Sequence, residues 1–445
     1  MKISRIDDFL RQQEGMTEIT RQTIGAMQLG KLNRLLAVLK ERGGYYRDLP
    51  DHLDDLPELA ELPFTTAEEL ESNAQGLLVL SQSRVSRVLS EVTSGTTGAG
   101  KRVFYSEQDL RNTVALFKAG LGELIGPGGV TMICMPFSGP NGLGELIAEA
   151  ITQLGARPLK AGCAMTYQEY RELIETERPD TFVGMPVQLL SILRMCGKGS
   201  LERALVSGDY CPDSVTAACE EILGSRLFPH YGSREMALGG AITCPAHEGM
   251  HLRENHVIAE IVDEEGRVLP EGEYGELVIT TIGMEAMPLV RYRTGDMTRI
   301  LPGPCPCGSH VLRLDHPHRI NIKENNQNRN ELSFIDKIDE IIFANRKVID
   351  CRMSAVKNGN TEAGNSTMRT GNVEAGSPAS KTESTESGSP TAARADLLLV
   401  PGCGLEQAEE ETRIALENAF PKTEFEISAR EAKWTDRSLY TGKRI

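Results

Sequence analysis

The sequence predicts an α/β protein: a large N-terminal domain with a mostly parallel sheet and a β subdomain, followed by a small α+β C-terminal domain. Three observations carry that prediction. Between positions 92 and 231, short apolar runs alternate with stretches of helical periodicity, which implies parallel strands covered by helices on both faces. After Gly249 the helical stretches give way to short strand candidates separated by turn signals such as Pro270-Glu-Gly272. A chain of 445 residues is also too long for one ordinary core, so two or more domains are expected.

The first ninety positions read as mostly helical, with acidic loops such as Asp51-His-Leu-Asp-Asp-Leu-Pro57. Residues 130–135 (VTMICM) form a compact apolar strand, followed by the glycine-rich PFSGPNGLG. Residues 144–154 have helical periodicity, and 156–160 make a short strand. The pattern continues with helix over 167–177, strand over 181–184 and helix over 186–195. That last helix opens on proline, whose missing N–H costs nothing in a first turn. Residues 201–207, 213–223 and 225–231 repeat the alternation, and 257–262 and 276–281 are strands of the β region. A helix is expected over 332–343.

Residues 357–394 are rich in Gly, Ser, Thr, Asn and Glu with almost nothing to bury, the composition of a disordered insertion acting as a spacer. Structure resumes at 396–400, with a helix over 406–420 and a strand over 424–427. Residues 1–90 are thus the helical part of the large domain and 91–320 its core. Residues 321–445 are the small domain, interrupted by the insertion.

A formal charge of −15 implies no basic surface for nucleic acid or anionic membrane. The opening MKISRIDDFLRQQEG carries acids and lacks the apolar core of a signal peptide, and no apolar run approaches a membrane span. The ten cysteines are mostly scattered through expected helices and strands, as reduced core thiols would be, so a cytoplasmic location is expected.

Two constellations carry chemistry. The first is VTSGTTGAGK, residues 92–101. Closely spaced glycines let backbone N–H groups converge into a nest for phosphate oxygens, Ser and Thr add hydroxyl donors, and Lys101 adds a positive charge. It is not a Walker loop, because Lys101 is followed by Arg102. Taken alone, it would serve equally as a flexible surface turn. The second is Cys244-Pro-Ala-His-Glu-Gly-Met-His251 together with Pro304-Cys-Pro-Cys-Gly308. Cys244, Cys305, Cys307 and one of His247 or His251 would complete a Cys₃His set suited to tetrahedral Zn²⁺, structural because it leaves no open position.

The loop is followed, in order, by Tyr231-Gly-Ser-Arg-Glu235, by GELVITT (275–281) leading into PLVRYRTGD (288–296), and by the final Tyr440-Thr-Gly-Lys-Arg-Ile445. In that order these stretches resemble the adenylate-forming (AMP-binding) superfamily, and most closely its phenylacetate-CoA ligase-like branch. The resemblance runs through residues 91–296 and, in outline, the tail. It implies an AMP-forming acyl-CoA ligase. A carboxylate attacks the α-phosphorus of ATP to give an acyl-adenylate and pyrophosphate, and coenzyme A then displaces AMP.

The resemblance also assigns roles. Thr93, Ser94, Gly95, Thr96, Thr97, Gly98 and Lys101 would hold the terminal phosphates. Glu235 would ligate Mg²⁺. Tyr231, Gly232 and Ser233 would border the adenine, and Asp296 and Arg319 would contact the ribose. Lys443, on a mobile small domain, would meet the forming acyl-phosphate bond. His251 matches the relatives better than His247 as the fourth zinc ligand. Arg234 stands where the family has Thr or Ser, and would reach the α-phosphate or the substrate carboxylate. His318-Arg-Ile-Asn-Ile-Lys323 departs from the family's hinge motif, with Asn321 in place of an acid, which keeps a non-CoA acceptor open.

The acyl pocket is expected near Phe137, Met185, Gly208 and the residues after Tyr231, for an aryl or arylacetic acid. Partners are a small carboxylic acid and, in assembly, a second copy as a homodimer. A nucleotide-binding regulatory protein without turnover is the alternative from another class.

Overall fold

The structure, a computed structural model, describes residues 5–91, 101–319, 333–355 and 392–438. The loop Thr93–Gly98, Asn321, Lys443 and nearly all of the expected insertion lie outside the described residues.

The chain opens with helices α1 (Arg5–Glu14), α2 (Arg21–Arg42) and α3 (Ala67–Asn73). Capping boxes start two of them, Thr20 with Thr23 and Thr66 with Glu69, each satisfying backbone donors that a helix start leaves unpaired. A hairpin follows, β1 (Arg87–Glu91) against β2 (Lys101–Tyr105), in the register Glu91↔Lys101. Residues 92–100 are therefore the link between two paired strand ends.

The alternating region is α4 (Glu107–Leu121), β3 (Val130–Cys134), α5 (Leu143–Gln153), β4 (Arg157–Lys160), α6 (Tyr167–Glu177), β5 (Thr181–Gly184), α7 (Pro186–Cys196), β6 (Arg203–Val206), α8 (Asp213–Leu223) and β7 (Phe228–Tyr231). The β region contains β8 (Ala241–Thr243), β9 (Met250–Leu252), β10 (Ile258–Val262), β11 (Gly275–Thr280), β12 (Tyr292–Thr298), β13 (Arg313–Leu314) and β14 (His318–Arg319). The small domain is α9 (Phe334–Ala344), β15 (Val348–Ala355), β16 (Ala392–Leu399), α10 (Leu405–Ala419) and β17 (Glu424–Glu431).

An eight-stranded sheet has the order β13-β9-β8-β7-β6-β5-β3-β4. The half from β4 to β7 is parallel, as the alternation predicts, because each return passes through a helix. From β7 outward the pairing turns antiparallel, because only a short loop separates β7 from β8. A second, antiparallel sheet runs β10-β11-β12-β14. In the small domain β15 pairs antiparallel with β16, and β16 parallel with β17.

Strand β16 begins at Ala392, so residues 392–394, read from composition as the end of the insertion, belong to a strand instead. Ala393 is fully buried between β15 and β17, and a run of small residues gave no apolar signal for this pairing.

One buried carboxylate links two distant segments of the large domain. Asp109, in the first turn of α4, accepts from Ser106 N at 2.9 Å, Glu285 N at 2.7 Å and Ala286 N at 3.1 Å. It ties the helix that follows β2 to the loop that precedes β12. The small domain shares an apolar cluster with the large one, in which Ile338, Val348 and Cys351 lie with Leu190, Leu193 and Val215. Arg194 caps the contact by donating to the carbonyls of Phe343 and Asn345 at 3.2 Å, and to that of Val348. No described helix is long and apolar enough to cross a membrane.

Candidate active site and candidate metal centre

Lys101 begins β2, Glu235 sits in a short 3₁₀ turn just after β7, and Tyr292 begins β12. The fold brings their polar atoms together. Lys101 Nζ donates to the Tyr292 hydroxyl at 3.0 Å and lies 3.5 Å from Glu235 Oε1. The Tyr292 hydroxyl donates in turn to Glu235 Oε1 at 3.1 Å. Burial pushes the Glu235 carboxyl up, but the Lys101 charge and the hydrogen bonds it accepts outweigh burial and hold it below the ordinary carboxylate range. The result is a buried, ionised carboxylate beside a lysine at the end of the candidate phosphate loop. One hard oxygen donor next to a phosphate site fits Mg²⁺, which is commonly held by one carboxylate plus phosphate oxygens.

A second group lies beside this one. The Tyr231 hydroxyl donates to Asp296 Oδ2 at 2.6 Å, and Arg319 Nη1 lies 3.1 Å from Asp296 Oδ1. Burial raises the Asp296 carboxyl, against the lowering by Arg319 and Tyr231. A register shift between β11 and β12, with Gly295 at φ 72°, places Asp296 there. Arg319 pairs with Asp296 across β12 and β14 and also donates to Thr294 O at 2.9 Å.

The loop carrying Glu235 is tightly built. A Cβ on Gly232 would lie 2.4 Å from Leu238 O, so no other residue fits there. Ala237 and Leu238 hold φ of 54° and 65°, a left-handed conformation that costs side-chain-bearing residues energy and is found at functional sites. Ser233 caps the turn, and its carbonyl accepts from Leu238 N at 2.8 Å. Arg234 is half-buried next to Glu235, its backbone oxygen held by the Tyr105 hydroxyl at 2.8 Å.

Around the expected acyl pocket, a Cβ on Gly208 (φ 93°) would approach Met185 Cγ to 3.6 Å and Met135 Cε to 3.9 Å. A Cβ on Gly144 would meet the Phe137 ring at 2.8 Å. Phe137 therefore packs directly on Gly144, and Gly208 sits beside two methionine side chains. Buried His230 bridges to Ser207 Oγ at 2.8 Å through Nδ1, and burial lowers its pKa to about 4, so it is neutral.

On the other side of β7, Cys244, His251, Cys305 and Cys307 converge, their ligand atoms all within 4.8 Å of one another. Cys244 Sγ and Cys305 Sγ are 3.6 Å apart, and Cys307 Sγ and His251 Nε2 are 3.4 Å apart. A tetrahedral zinc with ordinary Zn–S and Zn–N lengths would set those edges at about 3.8 and 3.6 Å. The donor set and spacing therefore fit Zn²⁺. His247 lies outside the cluster, stacked edge-on against Phe228 with centroids 4.4 Å apart. Cys244 follows β8, His251 is on β9, and the two other thiols are in the loop before β13. The cluster thus ties that loop to the sheet, with Arg313 in register with His251, six residues before Arg319 of β14.

In the sequence Tyr292 carries no assigned role. Its signal was its place in PLVRYRTGD, four residues before Asp296, but its contact with Glu235 is a tertiary event across 57 positions. The Asp109 carboxylate was missed for the same reason.

The sequence profile of the AMP-binding enzyme family matches residues 87–286, which hold Lys101, Tyr231 and Glu235. The phenylacetate-coenzyme A ligase of Thermus thermophilus is 30% identical over 340 residues, 68% of this chain and 71% of the relative. The phenylacetate-coenzyme A ligase of Aromatoleum evansii is 30% identical over 313 residues, 65% of this chain and 69% of the relative. Among solved structures, 2-hydroxyisobutyryl-CoA ligase with 2-HIB-AMP superposes with a TM-score of 0.73 at 16% identity, covering 96% of this chain and 90% of that one. With the ordered motifs and this likeness of sequence and fold, the chain belongs to the adenylate-forming, AMP-binding superfamily, in its phenylacetate-CoA ligase-like branch.

Proposed function

We propose that this AMP-forming acid–CoA ligase activates an aryl or arylacetic acid. The observation that carries the site assignment is the meeting of Lys101, Tyr292 and Glu235 at the end of the candidate phosphate loop. The loop amides of 93–98 and Lys101 neutralise the terminal phosphates. Mg²⁺, held by Glu235, would supply further positive charge to the phosphate oxygens. Tyr231 and Gly232 border the adenine, and Asp296 with Arg319 accepts and orients the ribose hydroxyls. Holding the carboxylate in line with the α-phosphorus turns a bimolecular attack into an oriented one. Arg234 positions the substrate carboxylate or the α-phosphate.

The apolar side chains of Met135, Phe137 and Met185, gathered around Gly208 and Gly144, support an apolar, ring-bearing acid. Coenzyme A thiolate then takes the acyl group and releases AMP. Zn²⁺ held by Cys244, His251, Cys305 and Cys307 is structural in this reading.

The test is ATP-dependent pyrophosphate release across a panel of aromatic, arylacetic and aliphatic acids, with thioester detected by mass spectrometry. Release favouring arylacetic or aryl acids, with thioester formed, is the expected result. Preference for short aliphatic acids defeats the substrate reading. Adenylate accumulation without thioester would instead favour a non-CoA acceptor, which the altered 318–323 stretch keeps in view. Lys443→Ala should lower adenylation about a hundredfold, the scale for removing one transition-state donor, while nucleotide affinity stays within about twofold. Equal adenylation rates would remove Lys443 from the chemistry.

A further inference from the structure

We propose that the Tyr292 hydroxyl is a positioning group of the adenylation site: it holds Glu235 and Lys101 in their working geometry and keeps Glu235 partnered when Lys101 turns to the phosphates. This rests on the reading of Glu235 and Lys101 as the charged pair of a nucleotide site.

The phenol oxygen does two jobs at once. It accepts from Lys101 Nζ at 3.0 Å and donates to Glu235 Oε1 at 3.1 Å. A tyrosine hydroxyl can do both, having one donor and free lone pairs. It therefore bridges two opposite charges that already form a loose ion pair at 3.5 Å, and it keeps them from closing further. A tighter pair would withdraw Lys101 from the phosphates and block an oxygen of Glu235.

The residue is buried and its backbone is held on both edges. Tyr292 is 1% exposed, its backbone pairs with Ile279 of β11, and it bridges to Thr65 on the other edge. Asp109 fixes the loop that leads into β12 through the amides of Glu285 and Ala286. The hydroxyl is thus presented on a rigid strand rather than a loop, which suits a positioning role. Tyrosines elsewhere in the same domain use their hydroxyls differently: Tyr46 shares a hydrogen bond with the Thr65 hydroxyl and accepts from Val290 N, and Tyr105 donates to a backbone carbonyl. Tyr292 alone among these three bonds to two ionisable side chains.

When a triphosphate draws Lys101 away, Glu235 loses its ammonium neighbour while still largely buried. The Tyr292 O–H stays on Oε1, leaving Oε2 for a cation. Without that donor Oε1 loses its tyrosine hydrogen bond and the carboxylate is held less firmly, which weakens the cation site rather than acid binding.

The experiment uses the full chain with Tyr292→Phe, and Tyr274→Phe as the comparison. Tyr274 also donates to a carboxylate, Asp315 Oδ2 at 2.6 Å, away from this site. Binding of a non-hydrolysable ATP analogue is titrated against Mg²⁺ by calorimetry, beside thermal midpoints and pyrophosphate release. Tyr292→Phe is expected to shift the Mg²⁺ midpoint upward about tenfold and lower kcat about 10- to 100-fold, with KM for the acid within about twofold. Tyr274→Phe should leave the Mg²⁺ midpoint unchanged. Should Tyr292→Phe lower only the thermal midpoint, with wild-type Mg²⁺ dependence and kcat, the residue merely packs and the proposal is overturned. A wild type that binds the Mg²⁺–nucleotide but turns over no acid would defeat the substrate reading alone, and the binding arm would still decide on Tyr292. A wild type that binds no nucleotide overturns both.

Discussion

Glu235→Gln is expected to reduce carboxylate-dependent pyrophosphate release about a thousandfold. The amide keeps the shape and one acceptor oxygen, so Tyr292 can still donate to it. It removes the charge that the surroundings maintain: a side chain only 12% exposed, kept ionised by Lys101 and by the hydrogen bonds it accepts. A neutral ligand holds a hard divalent cation poorly. Charge developing on the phosphates would then lose its main counter-charge in a site shielded from water, where such terms are largest. Lys101 would also be left with an unbalanced charge, so a loss of about 1–3 kcal/mol in stability should accompany the kinetic effect. Rates and Mg²⁺ titrations on the purified variant, with its thermal midpoint, separate the two. A variant retaining more than a tenth of wild-type adenylation would exclude Glu235 as the cation ligand.

The second large effect concerns the metal centre. Purified protein is expected to carry about one zinc per chain, and Cys305→Ser with Cys307→Ser to carry almost none. Structural zinc contributes on the order of 10 kcal/mol to the fold around it, so the double variant should lose the thermal transition of the wild type or aggregate. The loss would spread inward. The thiols hold the loop before β13, Arg313 is in register with His251, and five residues beyond β13 Arg319 reaches Asp296. Nucleotide affinity should therefore fall in whatever fraction stays soluble. His251→Ala should behave like the double variant, whereas His247→Ala should keep its metal, because its ring packs on Phe228 instead. Metal analysis of the four proteins is the measurement. Full zinc in the double serine variant would remove the site.

Much of the α/β region was legible because each element carries its own signal. The helices at Tyr167–Glu177 and Asp213–Leu223 and the strand at Thr181–Gly184 fall where periodicity puts them. Strands β1, β2, β8, β9, β12, β13 and β14 were not anticipated. Polar and charged residues interrupt them or they span only two or three positions, and they exist because neighbours supply their hydrogen bonds. Strand β15 was missed although it is eight residues long, because Asp350, Arg352 and Ser354 interrupt its apolar residues. The start of β16 was hidden by alanines, whose burial depends on strands on both sides.

At the candidate sites the division is similar. Motif order singled out Lys101, Tyr231, Glu235, Asp296 and Arg319, and the fold joins them into two adjacent groups. The choice between His247 and His251 was open to spacing alone. In the fold, strand β9 brings His251 to the thiols, while His247 lies against an aromatic ring.

What the sequence by itself determined about this protein is its family, its alternating architecture and the residue types its chemistry needs. Those are written in local spacing, which backbone periodicity and turn geometry enforce. Only the tertiary structure decided that Tyr292 stands between Lys101 and Glu235, that Asp109 ties the helix after β2 to the loop before β12, and that four side chains up to 63 positions apart converge with their ligand atoms within 4.8 Å. Those contacts depend on strand order and register, which many separated pairings fix together and no short stretch of sequence encodes.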